Sequence, residues 1–533
     1  MIMKKSLFVL LLMAVSSTVV LAGGIVTNSN QSAAYVRMLA RDASTSIDAV
    51  YFNPAGLTKL SDGFHVSFSN QSIFQKKTIE NTFTYLHDSK FIGDVAAPLF
   101  PDIYAVYKKN KLAVAFGLTP NAGGGSADYQ TGLPSFEIPF SVIPMSLSAS
   151  GIPTTNYSAD IQFKGTSVFW GAQLNGAYAI NDMISVSAGL RLIYAVNTYS
   201  GSISNVMVNP TSATYGFDGT MRTASSVFST LSAASSAVVS TYLDPLINNY
   251  NAGGYTLDQL VTAGYITSEQ SAQLSGGLGS SYNSAMTIND LKTAYNQKAD
   301  YLAGNAAATA DQSVDVEQKG TGYTPILGLN LTFGEKFNVG IRYEFRTKLT
   351  LKNSTKKDII GGVNADGSVI YMFPDNAEIR SDIPAILSVG VGYSALPKLR
   401  LSAGMHYYFD KDATIESAPG VKKEIDGNLY ELAIGGEYDI TDKILISTGY
   451  LYARTGVGQG YQTDLSHSLT SNSVGFGSGF KVTEKMLLNL GMLYTMYTSD
   501  SKTITYAKYG NLSANESYNR TNVSFSIGVD YHF

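Results

Sequence analysis

The chain has 533 residues and a formal net charge of −4, and only 15% of its residues are charged, against about 25% in a soluble domain. It contains no cysteine, which excludes disulfides, thiolate metal sites and cysteine nucleophiles. Its five histidines lack metal-binding spacing, and the slightly acidic balance provides no basic surface for nucleic acid. We therefore expect no metal, no cofactor and no nucleic-acid partner.

Residues 1–22 are typical of a secretory signal peptide. Lys4 and Lys5 precede an apolar run, and small residues end at Ala22, where we expect cleavage. The alternative is a retained membrane anchor, but the run is shorter than the roughly 20 apolar residues that a spanning helix needs. No later segment has that length either, so a membrane role would require a β-barrel.

Alternation of apolar and polar side chains predicts strands over most of the remaining chain. A soluble β-sandwich alternates too, but these runs exceed the usual five or six residues and approach the roughly 9 to 11 that cross a bilayer. In residues 337–351 the polar face carries Arg342, Glu344, Arg346 and Lys348. The same parity recurs in residues 183–196, 399–409, 430–440, 486–496 and 522–533.

Very short connections between these runs predict hairpins. The six turns imply twelve strands, and residues 64–77 and 522–533 bring the total to about fourteen. The other connections are longer and rich in Gly, Ser and Asn, as on the extracellular side of outer-membrane barrels. The predicted fold is an all-β transmembrane antiparallel barrel. The turns are Lys109-Asn110, Asn181-Asp182, Gly334-Glu335, Leu396-Pro397, Thr441-Asp442 and Thr483-Glu484.

Two segments within the mature chain do not fit the barrel wall, which we assign to residues 61–533. Residues 23–60 have helical spacing and end in the turn Asn53-Pro54-Ala55-Gly56, where Gly56 permits positive φ. They are too few to fold alone and are predicted to plug the barrel. Residues 206–311 carry helix starts at Thr256, Thr267 and Thr287 and are predicted to be a helical extracellular insertion. Whether this insertion handles ligand or is only a lid stays open.

Several short motifs of the chain occur together in one known family. The most specific is Arg41-Asp42-Ala43 followed by Asn53-Pro54-Ala55-Gly56-Leu57. The supporting features are Gly322-Tyr323, Arg342-Tyr343, Asp382-Ile383-Pro384 and the terminal Phe533. Together they resemble the FadL family of outer-membrane long-chain fatty-acid transporters, whose relatives include TodX-type hydrocarbon channels. The resemblance implies a fourteen-stranded barrel, an N-terminal hatch and release of the ligand sideways through a kinked third strand.

The resemblance also implies positions for the functional residues. Asn53, Pro54, Ala55 and Gly56 would form the gate in the hatch. The third strand, residues 111–119, would hold the lateral exit at Ala113, Ala115, Gly117 and Pro120, with a glycine run after it that can also be interpreted as a flexible loop.

Ligand-binding candidates follow from strand parity, which turns Arg191, Arg342, Arg346 and Lys348 inward. Glu344 beside them favours the alternative of a lumen salt-bridge network. A basic residue that the family places near the end of its fifth strand is replaced here by Val196. That departure leaves open whether the ligand is a carboxylate.

The expected function is passive uptake of fatty acids or other hydrophobic small molecules across the bacterial outer membrane. A general diffusion porin is one alternative. An outer-membrane lipid hydrolase is another, because His406 faces inward, although no nucleophile motif accompanies it. We expect the protein to be a monomer. We also expect that it is not an enzyme and has no catalytic residues. Its expected partners are the ligand, outer-membrane lipid and the barrel-assembly machinery, to which the terminal Phe533 would act as a signal.

Overall fold

The computed structural model describes residues 32–533, so the predicted signal peptide and residues 23–31 lie outside the described residues. Fourteen long strands form the wall of a closed antiparallel barrel, as predicted. Each strand pairs with the next along the chain, and the last pairs with the first. The wall strands are β1 (Gly63–Asn81), β2 (Lys90–Lys109), β3 (Leu112–Tyr129), β4 (Tyr157–Ala179), β5 (Ile184–Val208), β6 (Gln312–Phe333), β7 (Phe337–Glu344), β8 (Ile386–Leu396), β9 (Leu399–Tyr408), β10 (Tyr430–Asp439), β11 (Ile444–Arg454), β12 (Ser471–Thr483), β13 (Met486–Tyr497) and β14 (Leu512–His532).

All six predicted hairpin turns join consecutive wall strands, and they lie together at one rim, which we call the short-turn rim. The connections at the opposite rim, the long-loop rim, are much longer. Along each strand, buried side chains that face the lumen alternate with apolar side chains such as Phe68, Leu174 and Ile434, which are exposed on the outer face. An apolar outer face is what a lipid environment requires, and strand pairing satisfies most backbone groups of the wall.

The remaining elements are helices and short strands. None of the helices in residues 32–533 is long and apolar enough to cross a membrane. The α-helices are α1 (Ala33–Arg37), α2 (Ala49–Phe52), α3 (Pro134–Ser141), α4 (Ile143–Ala149), α5 (Ala224–Val238), α6 (Asp244–Tyr250), α7 (Leu257–Thr262), α8 (Ser268–Leu278) and α9 (Ile288–Ala308). A π-helical turn spans Val239–Leu243, and 3₁₀ turns span Pro54–Lys59, Ala213–Tyr215, Gly279–Ser281, Asp410–Asp412 and Ala507–Tyr509. The short strands are Thr211–Ser212, Phe217–Asp218, Arg222–Thr223, Thr350–Lys357, Ile360–Val363, Val369–Tyr371, Glu378–Arg380, Glu416–Ala418, Val421–Lys422 and Asp500–Tyr506.

Between β5 and β6 the chain forms a helical insertion at the long-loop rim, within the segment for which helices were predicted. Thr256, Thr267 and Thr287 each form the predicted capping box, in which the hydroxyl and the side chain three residues later bond each other's backbone N–H groups. Leu243, Leu260 and neighbouring apolar residues bury a separate small core among α6 to α9. The insertion therefore has its own core in addition to its contacts with the barrel.

Two strand predictions need correction. The strand predicted over residues 337–351 ends at Glu344, and the chain then makes only an isolated bridge from Thr347 to Ile383. The alternation breaks there, so Leu349 is buried and Lys348 is exposed, opposite to the predicted parity. The predicted third strand, residues 111–119, is also too short, because β3 continues past the glycine run to Tyr129.

Candidate functional site

The described part of the N-terminal segment, Ser32 to Leu60, lies inside the barrel; we call it the hatch. Its apolar side chains, including Val50, Phe52 and Leu57, are buried in one cluster with side chains from the wall. Small residues on β3 make room for it: Ala113 and Ala115 belong to that cluster, and a Cβ on Gly117 would lie 3.0 Å from a Val50 methyl carbon. The hatch therefore fills the lumen with an apolar surface fitted to β3.

The turn that ends the hatch depends on atoms packed closely around Gly56 and not on an unusual backbone φ angle. Asn53 donates to the Asn330 Oδ1 of β6 at 2.7 Å and to the Ser44 carbonyl at 3.1 Å. A Cβ on Gly56 would lie 2.5 Å from both the Asn53 amide nitrogen and the Ser44 oxygen. Gly56 permits positive φ, but the described glycines that adopt it do not include Gly56. Pro54 opens the 3₁₀ turn that follows, and the Ala55 methyl packs near Gly328.

Ion pairs and hydrogen bonds also hold the hatch to the wall. Arg37 is buried, forms a salt bridge with Glu437 of β10 and donates to Asn489 at 3.0 Å. Arg41 binds both carboxylate oxygens of Asp48 at 2.6 and 2.9 Å, which joins two parts of the hatch. Buried pairs of this kind are costly to break, because the remaining charge is left without a partner.

His406 of β9 connects the hatch to the wall through both ring nitrogens. Nε2 lies 2.6 Å from Asp42 of the hatch, and Nδ1 lies 2.7 Å from Glu431 of β10. The Tyr408 hydroxyl donates to the same Glu431 carboxylate at 3.0 Å. With both nitrogens occupied by carboxylates, His406 has none left to activate a nucleophile. This geometry disfavours the hydrolase alternative and makes His406 a bridge to the hatch.

Two of the four predicted ligand-binding residues meet around Tyr51 of the hatch. Arg191 binds Glu344 through two nitrogens, at 2.6 and 3.1 Å, and Arg342 Nε lies 3.3 Å from the same carboxylate. The two guanidinium groups lie 4.8 and 5.0 Å from the centre of the Tyr51 ring, and Arg342 also donates to the Tyr51 carbonyl. The arrangement matches the salt-bridge network that the sequence left open as an alternative.

The other two candidates lie elsewhere. Arg346 is partly exposed near the long-loop rim, donates to the Asp412 carbonyl and lies 4.0 Å from Asp382. Lys348 is exposed, for the reason given above. Val196 lies where the resemblance implies a basic residue. Its neighbours Ala195 and Asn197 are fully buried on the lumen side, so Val196 faces outward.

The wall is incomplete between β2 and β3. The strands pair from Lys109 and Leu112 up to Ile103 and Leu118, and again from Ala96 and Ser126, but not between these positions. Residues 97–102 of β2 and 119–125 of β3 therefore face each other without ladder pairs; we call this stretch the wall gap. It contains three prolines, which cannot donate a backbone hydrogen bond: Pro98, Pro101 and Pro120.

Only one of the predicted lateral-exit residues lies in the wall gap. Ala113, Ala115 and Gly117 are regularly paired with β2, and the break begins after Leu118. Pro120 lies within the gap, where β3 also has register shifts against β4 at Pro120/Ala122 and at Gly123/Gly125. The glycine run is thus part of a bulged strand and not a free loop.

Sequence reasoning did not find two buried polar side chains that lie within the wall gap. Asp102 of β2 is fully buried, and neither of its carboxylate oxygens has a hydrogen-bond partner among the described residues. Asn121 of β3 is also buried with an unpartnered Oδ1. The two prolines of β2 around Leu99 were the available signal, since proline is rare inside a paired wall strand.

The comparisons with known proteins agree with this architecture. The family model for the outer membrane protein transport protein family (OMPP1/FadL/TodX) matches residues 261–533. The fold is similar to a FadL homologue from Pseudomonas aeruginosa, with a TM-score of 0.58, 13% identity and coverage of 96% of this chain and 100% of that one. It is also similar to the toluene transporter TodX from Pseudomonas putida, with a TM-score of 0.53, 13% identity and coverage of 97% and 100%.

Among the curated proteins, none matches the sequence. The family model covers slightly more than half of the chain, including β6 to β14, and the similarity to the FadL homologue covers 96% of the chain. A closed barrel with an apolar outer face is the fold with which proteins span the bacterial outer membrane. The chain belongs to the OMPP1/FadL/TodX family and is a β-barrel of the bacterial outer membrane.

Proposed function

We propose that the protein is a channel for passive uptake of hydrophobic small molecules, such as fatty acids or hydrocarbons, and that the ligand leaves sideways through the wall gap. In this proposal the long-loop rim is extracellular and the protein works as a monomer. The observation that carries the proposal is the loss of pairing between residues 97–102 and 119–125. No other pair of consecutive wall strands in the described chain has a break of comparable length.

The location of the gap suits an apolar ligand. Ile73, Ala97 and Phe100 form a buried apolar cluster beside it on β1 and β2. A molecule that passes from this cluster into lipid never exposes its chain to the aqueous compartment, where each CH₂ would cost about 0.8 kcal/mol. The hatch supports the same route, because it fills the lumen below the gap and closes the straight path through the barrel.

The same observations argue against an open porin. A general diffusion pore needs a water-filled lumen, whereas here the hatch is packed against the wall by apolar contacts and ion pairs. Among residues 32–533 there is no group of three or more side chains suited to hold a metal ion. We propose a transport role without catalysis, and movement of the hatch as the gate.

A reversible cross-link across the gap tests this route. The chain has no cysteine, so the double variant Ala97→Cys, Gly125→Cys can form only that disulfide. A Cβ at Gly125 would lie 2.8 Å from that of Ala97, so only a small shift is needed to reach disulfide geometry. Oxidation should reduce dodecane uptake into whole cells by at least about tenfold, and reduction should restore it.

The reduced protein and the two single variants are the matched controls, and heat-modifiable migration on gels checks that each barrel is folded. Because Gly125 has φ of +79°, the single variant Gly125→Cys reports any cost of the substitution itself. If the oxidised protein takes up dodecane at the rate of the reduced protein, the ligand does not leave through the wall gap.

A further inference from the structure

A row of charged side chains crosses the outer face of the wall on its way to the long-loop rim. It consists of Lys76 of β1, Asp94 of β2, Asp128 of β3 and Lys164 of β4, and each is the direct ladder partner of the next. All four lie between buried neighbours in their strands and therefore point away from the lumen. The two lysines are three strands apart, which is about 14 Å. We call these four residues the charged row.

The charged row lies where the outer face changes from apolar to polar. Toward the short-turn rim, the next outward residues include Phe74 of β1 and Ala96 of β2. Toward the long-loop rim, the outward residues include Glu80, Lys90 and Gln162. The apolar band of an outer-membrane barrel contacts acyl chains, so this level is where lipid headgroups meet the wall.

The charged row also lines an open groove of about 530 Å³. The apolar side chains of Phe74, Ala96 and Val523 line the same groove, and Phe74 is 49% exposed. Ala96 and Ser126, which line it too, are the last ladder pair before the wall gap. The groove thus combines charged groups with an apolar surface that leads toward the wall gap, as the binding of an amphipathic lipid requires.

The side chains of the charged row do not neutralise one another. Among residues 32–533, none of the four takes part in an ion pair, although each lysine stands beside an aspartate. Asp128 accepts a hydrogen bond from the Gln130 amide at 2.8 Å. Asp94 and Asp128 are like charges directly opposite each other, which destabilises a sheet. Both ammonium groups are therefore available to a ligand from the membrane.

We propose that the charged row binds the headgroup of a phosphorylated glycolipid of the outer membrane. Lys76 and Lys164 each bind one phosphate through charge-assisted hydrogen bonds. The carboxylates between them accept hydrogen bonds from sugar hydroxyls, because an ionised carboxylate can only accept. The acyl chains lie along Phe74 and Val523.

The spacing of the row selects this class of lipid. A disaccharide with a phosphate at each end has a length comparable to the separation of the two lysines, and its hydroxyls lie between the phosphates. A glycerophospholipid with a single phosphate reaches only one lysine and brings no sugar ring to the two aspartates. The order of the row, with cations outside and carboxylates inside, therefore matches a diphosphorylated disaccharide.

Native mass spectrometry of the purified full-length protein in a non-ionic detergent tests the site with three lipids. Diphosphoryl lipid A is an acylated disaccharide with two phosphates, monophosphoryl lipid A lacks one of them, and phosphatidylglycerol has a phosphate but no disaccharide. The wild type should bind diphosphoryl lipid A at least about tenfold more tightly than phosphatidylglycerol. Monophosphoryl lipid A should bind with intermediate affinity.

Variants of the row assign the groups. Lys76→Gln and Lys164→Gln should each weaken binding of diphosphoryl lipid A by about tenfold, to the level of the monophosphoryl form, because one ammonium group remains for two phosphates. Asp94→Ala should weaken binding of both forms of lipid A with no loss for phosphatidylglycerol. Lys319→Gln is the matched control, since Lys319 is exposed on the outer face of β6 and pairs with Glu317. Heat-modifiable migration checks that each variant is folded.

Each possible result decides for or against the site. Equal affinity of the wild type for diphosphoryl lipid A and phosphatidylglycerol would overturn the proposal, and so would unchanged lipid A binding in both lysine variants. An equal loss in Lys319→Gln would reduce the effect to overall surface charge and would overturn it too. Tighter lipid A binding by Asp94→Ala would mean that the carboxylate repels the lipid, which contradicts the assigned arrangement. The groove lies outside the lumen, so none of these results alters the proposed transport route.

Discussion

The lumen holds charged side chains at two levels, and the two levels treat charge in opposite ways. At the level of the hatch, Arg191 and Arg342 share Glu344, and each pair joins parts of the fold. Nearer the long-loop rim, Lys77 and Arg520 face each other, and neither forms an ion pair with a carboxylate among residues 32–533. The hatch level therefore pairs its buried charges within the fold, whereas the upper level leaves Arg520 without an acidic partner in the described chain.

The strongest test of this contrast removes the shared carboxylate. Glu344→Gln leaves two buried guanidinium groups without a counter-charge, so we expect a loss of about 3–5 kcal/mol in the free energy of unfolding. Urea titration in detergent, followed by circular dichroism, measures it. Glu317→Gln on the partly exposed end of β6 is the control. A loss below about 1 kcal/mol would mean that these arginines are not held by Glu344.

A smaller effect is expected from the bridge to the hatch. His406→Gln removes the contact between Nε2 and Asp42, a charge-assisted bond of about 1.5–3 kcal/mol. The hatch should then open more often, and planar-bilayer recordings should show more frequent conducting events. His65→Gln is the control, since His65 bonds the Ser61 carbonyl at the short-turn rim and not the hatch. Identical recordings for the two variants would contradict the proposed role of the hatch as gate.

Removing the charge of Arg520 should change the stability in the opposite direction. Arg520→Met removes an unpaired buried charge and keeps most of the side-chain volume, so stability without ligand should rise by about 1–2 kcal/mol. The same substitution at Arg191 should destabilise, because Glu344 would lose a partner. Urea titrations of both variants make the comparison direct. If Arg520→Met destabilises as much as Arg191→Met, the two levels of the lumen do not differ.

The smallest effect concerns a buried acid in the loops. Burial raises the pKa of Asp410 from 3.8 to about 7. An acid with a raised pKa in the folded state loses stability as pH rises from 3.8 to about 7 and is level above that. Asp410→Asn should therefore gain stability over the wild type by about 1 kcal/mol between pH 5 and pH 6. The exposed neighbour gives the control Asp412→Asn, and equal pH profiles for both would refute the prediction.

The barrel could be predicted from the sequence because its signals are local. Alternation over ten or more residues and turns such as Asn181-Asp182 depend only on neighbours in the chain, and so do the capping boxes at Thr256 and Thr267. The alternation pattern gave the wrong orientation for Lys348, because strand pairing stops at Glu344 and the residues around it carry no signal for the end of a strand. Arg191 and Arg342 point inward as predicted, because both lie within paired strands where the alternation is unbroken.

The site was less predictable, since its parts come from distant segments. Lys77 and Arg520 lie near opposite ends of the chain and meet only where the barrel closes. Parity places each of them inside, but the ladder register that puts them side by side cannot be derived from one strand alone. The wall gap was anticipated only approximately, because Pro120 was visible in the sequence while the unpaired stretch opposite it on β2 was not.

The ladder between β1 and β14 has a consequence for assembly. These strands are the first and last of the wall, so an open sheet, however complete otherwise, keeps Lys77 and Arg520 apart in solvent-accessible edges. The repulsion between them arises only when the two edges join. Closure of the barrel is therefore the step that brings these two side chains together.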